Sequence, residues 1–219
     1  MDRITDAFTW PVRDPQWVTK VLIIALILLI PIAGAINGLG WMLASLDRLR
    51  AGEETLAPAN LSYLGRGLRL FVVNLVYGLA IVLIAAAIYV PALLLAAGQS
   101  QGSVNPALVS LAIVLSMLAF SIATLGTLAL NFALPSIVLA TDREGIQGGL
   151  RVSSVVRRAR MNVANTLIAG LMLIAAGFVG SLGIVLCGIG VLITSAYALV
   201  MQAWIIRSFE LGSAAAKAA

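Results

Sequence analysis

The chain has 219 residues, 61% of them hydrophobic and only 11% charged, with a mean hydropathy of +1.06, against about 45–50% apolar and about 25% charged in an ordinary soluble domain. The apolar residues fall in runs long enough to span a bilayer, which leaves no room for a soluble catalytic domain. A net charge of +5 would point to nucleic acid in a soluble protein; here the cations flank apolar runs, as in a chain anchored to an anionic leaflet.

The first twenty residues carry Asp2, Asp6, Asp14, Trp10 and Trp17, unlike the short basic start of a signal peptide. The first apolar stretch, 21–46, is interrupted by Pro31, Gly34, Gly38 and Gly40. Two readings stay open for it: one bent span, or a hairpin turning back at Pro31–Gly40, with short arms and a turn that must pack against protein. The second stretch, 70–97, has Pro91 near its end, and the third, 107–134, is expected to stop at Pro135. The last, 163–206, would be about 66 Å long as one helix at about 1.5 Å per residue, roughly twice the hydrocarbon core. It must fold back, most simply within the glycine-rich 180–190 segment. The expected fold is all-α: a polytopic transmembrane helical bundle of four full spans plus an N-terminal re-entrant or short helical hairpin, or five spans if the first stretch crosses. Residues 1–211 read as a single integral membrane domain, and the low-complexity 212–219 as a flexible tail or an expression scar.

The cations orient these spans. Arg3, Arg13 and Lys20 precede the first stretch, and Arg48, Arg50, Arg66 and Arg69 follow it. Arg143, Arg151, Arg157, Arg158 and Arg160 lie between the third and fourth, and Arg207 and Lys217 close the chain. The loops around 98–106 and 180–190 carry none. The positive-inside bias therefore places the 48–69 and 143–160 loops and the C-terminus in the cytoplasm. Within 151–160, Val152, Val155, Val156 and Ala159 form one helical stripe with Arg151, Arg157, Arg158 and Arg160 off it, a pattern suited to a surface helix contacting anionic lipid. Leu61, Leu64 and Leu68 make a weaker stripe beside Arg66 and Arg69.

Several short motifs recur in order: Trp10-Pro11-Val12-Arg13-Asp14-Pro15-Gln16-Trp17, then Ile30-Pro31, then Gly34, Gly38 and Gly40, then Ala51-Gly52-Glu53-Glu54. Ala133-Leu134-Pro135 and Cys187-Gly188-Ile189-Gly190 follow. Over about residues 10 to 210 the sequence resembles the DUF4013 family of prokaryotic polytopic membrane proteins. One departure is that Pro58 is followed by Ala59-Asn60-Leu61, where the family is expected to carry a tryptophan. The resemblance implies a multi-helix fold in a prokaryotic cytoplasmic (inner) membrane and carries over no catalytic residue.

All nine acids lie outside the apolar runs or at their edges. Ionisable groups at depth mark proton relays and ion sites, so coupled transport is disfavoured. With no histidine and one cysteine, Cys187, a metal or haem site is disfavoured too, as is intramembrane proteolysis. No enzyme activity and no cofactor is expected. Gly34–Gly38, Ala176–Gly180 and Gly183–Cys187 carry small-residue spacings that read as intrachain packing or turns, and Cys187 as inert packing. Asn74, Asn131 and Gln202 lie near one depth on three helices, so they are candidates for a polar cluster that hydrogen-bonds helices together. Trp10, Trp17, Trp41 and Trp204 read as interface anchors. The expected function is that of a non-enzymatic structural or accessory membrane protein. Its expected partners are the lipid bilayer and a membrane protein or a second copy, not nucleic acid. The alternative is a passive channel or uncoupled transporter of a small molecule or lipid.

Overall fold

The computed structural model describes residues 5–99, 105–185 and 189–218, with side chains as far as Ala214; Cys187 and most of the 98–106 loop lie outside these. Every regular element among the described residues is helical: α1 (Asp6–Thr9), a 3-10 turn (Trp10–Arg13), α2 (Trp17–Leu28), α3 (Ala33–Arg50), α4 (Leu64–Gly98), α5 (Pro106–Leu150), α6 (Val152–Met161), α7 (Val163–Leu182), a second 3-10 turn (Gly183–Val185) and α8 (Ile189–Ala218). Four segments are long and apolar enough to cross a membrane: Leu64–Gly98, Pro106–Leu150, Val163–Val185 and Ile189–Ala214. The shorter apolar α2 stands before them. This is the multi-span all-α fold expected. The chain divides into two compact units, one of residues 74–130 and one of the remainder.

In the larger unit, the first apolar stretch turns back on itself. The Ala33 amide donates to the Pro31 carbonyl at 2.6 Å around Ile32, whose φ of 62° and ψ of −59° make the strained, positive-φ kind of γ-turn. A β-branched residue there costs about 1–3 kcal/mol; packing of both α2 and α3 on α8 holds it in place. The two ends of the stretch meet. Arg13 Nη1 pairs with Glu54 Oε1 at 2.8 Å, and the Asp14 carboxylate accepts from the Leu56 amide at 2.8 Å and from Lys20 Nζ at 2.7 Å. Residues before α2 thus touch residues after α3, which a single bent span forbids. The hairpin reading holds.

The end of α3 is written in its sequence. Gly52 adopts φ 81°, its amide donates to Leu49, and the Glu53 amide donates back to Arg48. These two bonds are the glycine-terminated C-cap that closes a helix. Along one face of α3, Asn37, Trp41 and Ser45 recur every four residues and bind the backbone of the following loop. Asn37 Nδ2 donates to the Asn60 carbonyl at 2.9 Å, Trp41 Nε1 donates to the Ala57 carbonyl at 3.0 Å, and Ser45 Oγ accepts from the Ala57 amide at 3.4 Å. Loop polar groups that water would otherwise have to satisfy are therefore satisfied by helix side chains. Gly67 then lets α4 cross α3 at backbone contact, since a β-carbon there would overlap the Ile36 carbonyl oxygen.

Helices α7 and α8 form the expected fold-back. Thr194 Oγ1 donates to the Gly180 carbonyl at 2.6 Å near its turn, and Asn165 Nδ2 donates to the Phe209 carbonyl at 3.0 Å at its open end. Two expectations need correction. Helix α5 does not stop at Pro135 but runs through it, breaking instead at Gly145, where φ is 71° and ψ −162°. Proline removes one backbone bond, whereas this glycine leaves helical geometry altogether. Trp10 and Trp41 are not interface anchors: both are buried, and Trp10 Nε1 donates to the Val200 carbonyl at 3.1 Å. An indole whose N–H finds a backbone partner can sit in a core.

The smaller unit pairs the last part of α4 with the first part of α5, each about 37 Å long at about 1.5 Å per residue, more than a hydrocarbon core of about 30 Å. The two approach where a β-carbon on Gly126 would lie 3.0 Å from Ile81. In the most apolar windows of α4 and α5 only 6% and 11% of residues are buried by protein, against 39% and 44% in α7 and α8.

Asp14 offers a test of the hairpin. Burial alone would raise its carboxyl, but the bonds from Lys20 and from the Gln16 and Leu56 amides outweigh that and hold it below its ordinary value. A lowered carboxyl stabilises the fold above the ordinary aspartate range, and that contribution is lost as pH falls through the lowered value. Asp14→Ala should reduce stability by about 1–3 kcal/mol near neutral pH, read from thermal unfolding in detergent. The gap from wild type should begin to narrow as pH falls below about 4, the ordinary aspartate value, and shrink further below it; a gap unchanged at lower pH would contradict this role.

Candidate functional site

The charged residues at the ends of the long helices meet at one end of the larger unit. Arg50, in the last turn of α3, where a cation also complements the helix dipole, bonds to Asp142 of α5 at 2.8 Å and to Glu210 of α8 at 3.0 Å. It also reaches Asp47 at 3.1 Å, one helical turn back. Arg66 of α4 pairs with Asp142 at 2.7 Å and with Asp47. Glu210 is further held by Arg143 at 2.6 Å and by Arg207 at 3.2 Å. The Asp142 and Glu210 side chains are only 9% and 14% exposed, so each acid is matched by at least two guanidinium groups rather than by water. Burial alone would lower the Arg50 pKa, but the Glu210 and Asp142 carboxylates outweigh it and hold the group above its ordinary value. The set is a network of directly paired carboxylate and guanidinium groups.

Beside this network stands α6, bracketed by single non-helical residues, Arg151 (φ −74°, ψ 82°) and Asn162 (φ −143°, ψ 85°). Asn162 also caps α7 by accepting from the Asn165 amide at 3.0 Å. The predicted apolar stripe is split. Val155 is buried, while Val152 and Val156 stay exposed. Arg157 and Arg160 are exposed and edge a shallow depression with Val156 and Met161. Arg151 lies 3.9 Å from Glu144. Arg158 differs from the other three. It is half-buried, its Nη1 is buried without a hydrogen-bond partner, and it lines a cavity of about 150 Å³ together with Arg143 and Glu210. Burial first, and then the neighbouring Arg143 charge, press its pKa below the ordinary value, more than Glu144 and Glu210 offset.

The three candidate amides are placed as follows. Asn74 opens the 74–130 unit, half-buried, with Oδ1 buried and without a hydrogen-bond partner. Asn131, half-buried, opens the part of α5 that belongs to the larger unit. Gln202 of α8 lines an open, mostly apolar groove of about 460 Å³ with Leu28, Ala35, Leu39, Gly177 and Ala198. The sequence reading missed the acids as binding partners for arginine, although Asp47, Asp142 and Glu210 each sit within a turn of a cation in the sequence. It also missed Asn37, whose four-residue spacing from Trp41 and Ser45 was the available signal. Among the described residues, no three acidic, histidine or cysteine side chains are placed to hold a metal ion.

The family described as a protein of unknown function, DUF4013, matches residues 23–189 of this chain, and the chain belongs to it. No curated protein and no solved structure matches.

The two classes of arginine should separate on substitution. Arg50→Ala takes one partner from each of two little-exposed acids, Asp142 keeping Arg66 and Glu210 keeping Arg143 and Arg207, and should cost about 1.5–3 kcal/mol. Arg157→Ala and Arg160→Ala, both at exposed positions, should stay within about 0.5 kcal/mol. Urea or thermal unfolding in one detergent checks both; equal losses from all three would contradict the assignment.

Proposed function

We propose that this DUF4013 member is a non-enzymatic accessory protein of the prokaryotic cytoplasmic membrane whose 74–130 helical pair packs against another membrane-embedded helix. The observation that carries this reading is the low burial of that pair's apolar residues, combined with a groove of about 580 Å³ between its helices. Gly78, Ala85, Ala86, Ala119 and Ala123 line that groove. In lipid there is no hydrophobic drive between helices, and association relies on close packing at small residues; a groove lined in part by glycine and alanine suits a third helix. A photo-crosslinking residue at Ala119 or Ala123 should capture a protein of defined mass, either a partner or a second copy. Adducts with lipid alone would overturn the reading.

The ion-paired end of the larger unit, with α6 and the C-terminus, belongs on the cytoplasmic side in this reading. Its support is the positive-inside bias and the direct contact of Arg50, Arg66, Arg143 and Arg207 with one set of acids. Arg151, Arg157 and Arg160 then face anionic headgroups, each worth about 1 kcal/mol near such a surface. Single cysteines within 98–106, in a Cys187→Ala background, should react with an impermeant reagent from outside, while positions at Glu53 and Arg157 should not. The reverse pattern would refute the orientation.

The second reading, a passive channel or uncoupled transporter, draws on the groove that Gln202 lines between the α2–α3 and α7–α8 hairpins. Proteoliposomes should show no uptake driven by a proton or sodium gradient, since all nine acids lie outside the apolar runs or at their edges. Gradient-driven uptake would contradict both readings.

A further inference from the structure

The cavity beside α6 holds one guanidinium group, that of Arg158, with a buried donor and no acceptor. Arg143 and Arg158 both line it, with Ser213 and the apolar Leu139 and Met161 completing the wall. Arg158 Nη1 is buried and has no acceptor; a buried donor left unpaired on a charged group is costly, and such an atom marks a place where a partner is missing. Ser213 Oγ accepts from Asn165 Nδ2 at 3.4 Å, which leaves its own hydrogen without an acceptor among the described residues. Glu210 also lines the cavity, but Arg50, Arg143 and Arg207 already hold its two oxygens, so its charge is more than neutralised. The surplus here is cationic, and the one acid on the wall among the described residues is already paired.

The geometry points to a binding site for one phosphate group, held by Arg158 and Arg143 with the Ser213 hydroxyl as a further donor. Guanidinium groups meet phosphate oxygens through paired, charge-assisted bonds. The size agrees: about 150 Å³ admits a phosphate and a few waters at about 30 Å³ per water, well below the roughly 300–1,000 Å³ of a metabolite-sized pocket. The phosphate is either that of a lipid headgroup reaching the cavity along α6 or a free phosphate. Bound there, it supplies the acceptor that Nη1 lacks and screens Arg158 from Arg143. The site depends neither on the orientation of the chain nor on a protein partner for the 74–130 pair.

The test uses the full chain in a neutral detergent, with inorganic phosphate in one arm and phosphatidic acid against phosphatidylcholine in mixed micelles in the other. Thermal stability should rise with ligand concentration by linkage in at least one arm: a rise with inorganic phosphate identifies free phosphate, and one with phosphatidic acid alone identifies a headgroup. Arg158→Gln should weaken that response about ten-fold, the loss expected of one charge-assisted bond. It should also leave the ligand-free protein no less stable than wild type, because Arg158 gives up no partner. Arg143→Gln should weaken the response too, whereas Arg157→Gln and Arg160→Gln should leave the inorganic-phosphate response unchanged and weaken the phosphatidic-acid response less than Arg158→Gln does. No response in either arm would overturn the site. So would equal weakening by all four substitutions, which would reduce the effect to diffuse surface charge, or a large loss of ligand-free stability in Arg158→Gln, which would make that residue a structural contact.

Discussion

Arg50 holds Asp142 and Glu210 at once, and through them the ends of α3, α5 and α8 are fixed to one another. In water such pairs contribute little, because solvent competes for both charges. Here the two carboxylates are nearly covered by protein, so removing the guanidinium would take a partner from both where water replaces it poorly. Arg66 adds α4 to the same set. Helix-to-helix packing in an apolar medium is weakly specific, because lipid solvates leucine as well as another leucine does. A shared ion network is directional, and it sets which helix ends meet.

The same constraint accounts for the N-terminal hairpin. Two arms of 12 and 18 residues are held together at their far ends by Asp14, which gathers two backbone amides and Lys20, and by Arg13 with Glu54. At the near end the chain accepts a strained turn at Ile32. Polar closure at one end and packing on α8 along the length offset that strain. The 74–130 pair presents apolar side chains on most sides, which is why its environment, whether lipid or a protein partner, becomes the functional question.

How far this was legible in the sequence follows from whether the signal is local. Helix class, the four long spans, the fold-back of 163–206 and the clustering of cations depend on hydropathy and charge over a few turns, and these are plain in the sequence. Pro135 misled because a proline signals the loss of one hydrogen bond, not where the helix ends; Gly145, ten residues on, carries the break. Trp10 and Trp41 misled because an indole suits an interface and a core equally, and the deciding groups, the Val200 and Ala57 carbonyls, are remote or lie on a loop. The choice between hairpin and bent span rested on pairs such as Arg13–Glu54, which no hydropathy profile contains. Arg158 was legible as one of four arginines within 151–160, but not as the one whose donor is buried, since that depends on Arg143 and Glu210 arriving from other helices.

The most direct test of this account is a double-mutant cycle on Arg50 and Asp142, with unfolding free energies of wild type, Arg50→Ala, Asp142→Ala and the double variant in one detergent. A direct, shielded ion pair predicts a coupling energy of about 1–3 kcal/mol, retained at high salt because screening acts weakly on covered charges. A coupling near zero, or one abolished by salt, would contradict the claim that this network holds the helix ends together.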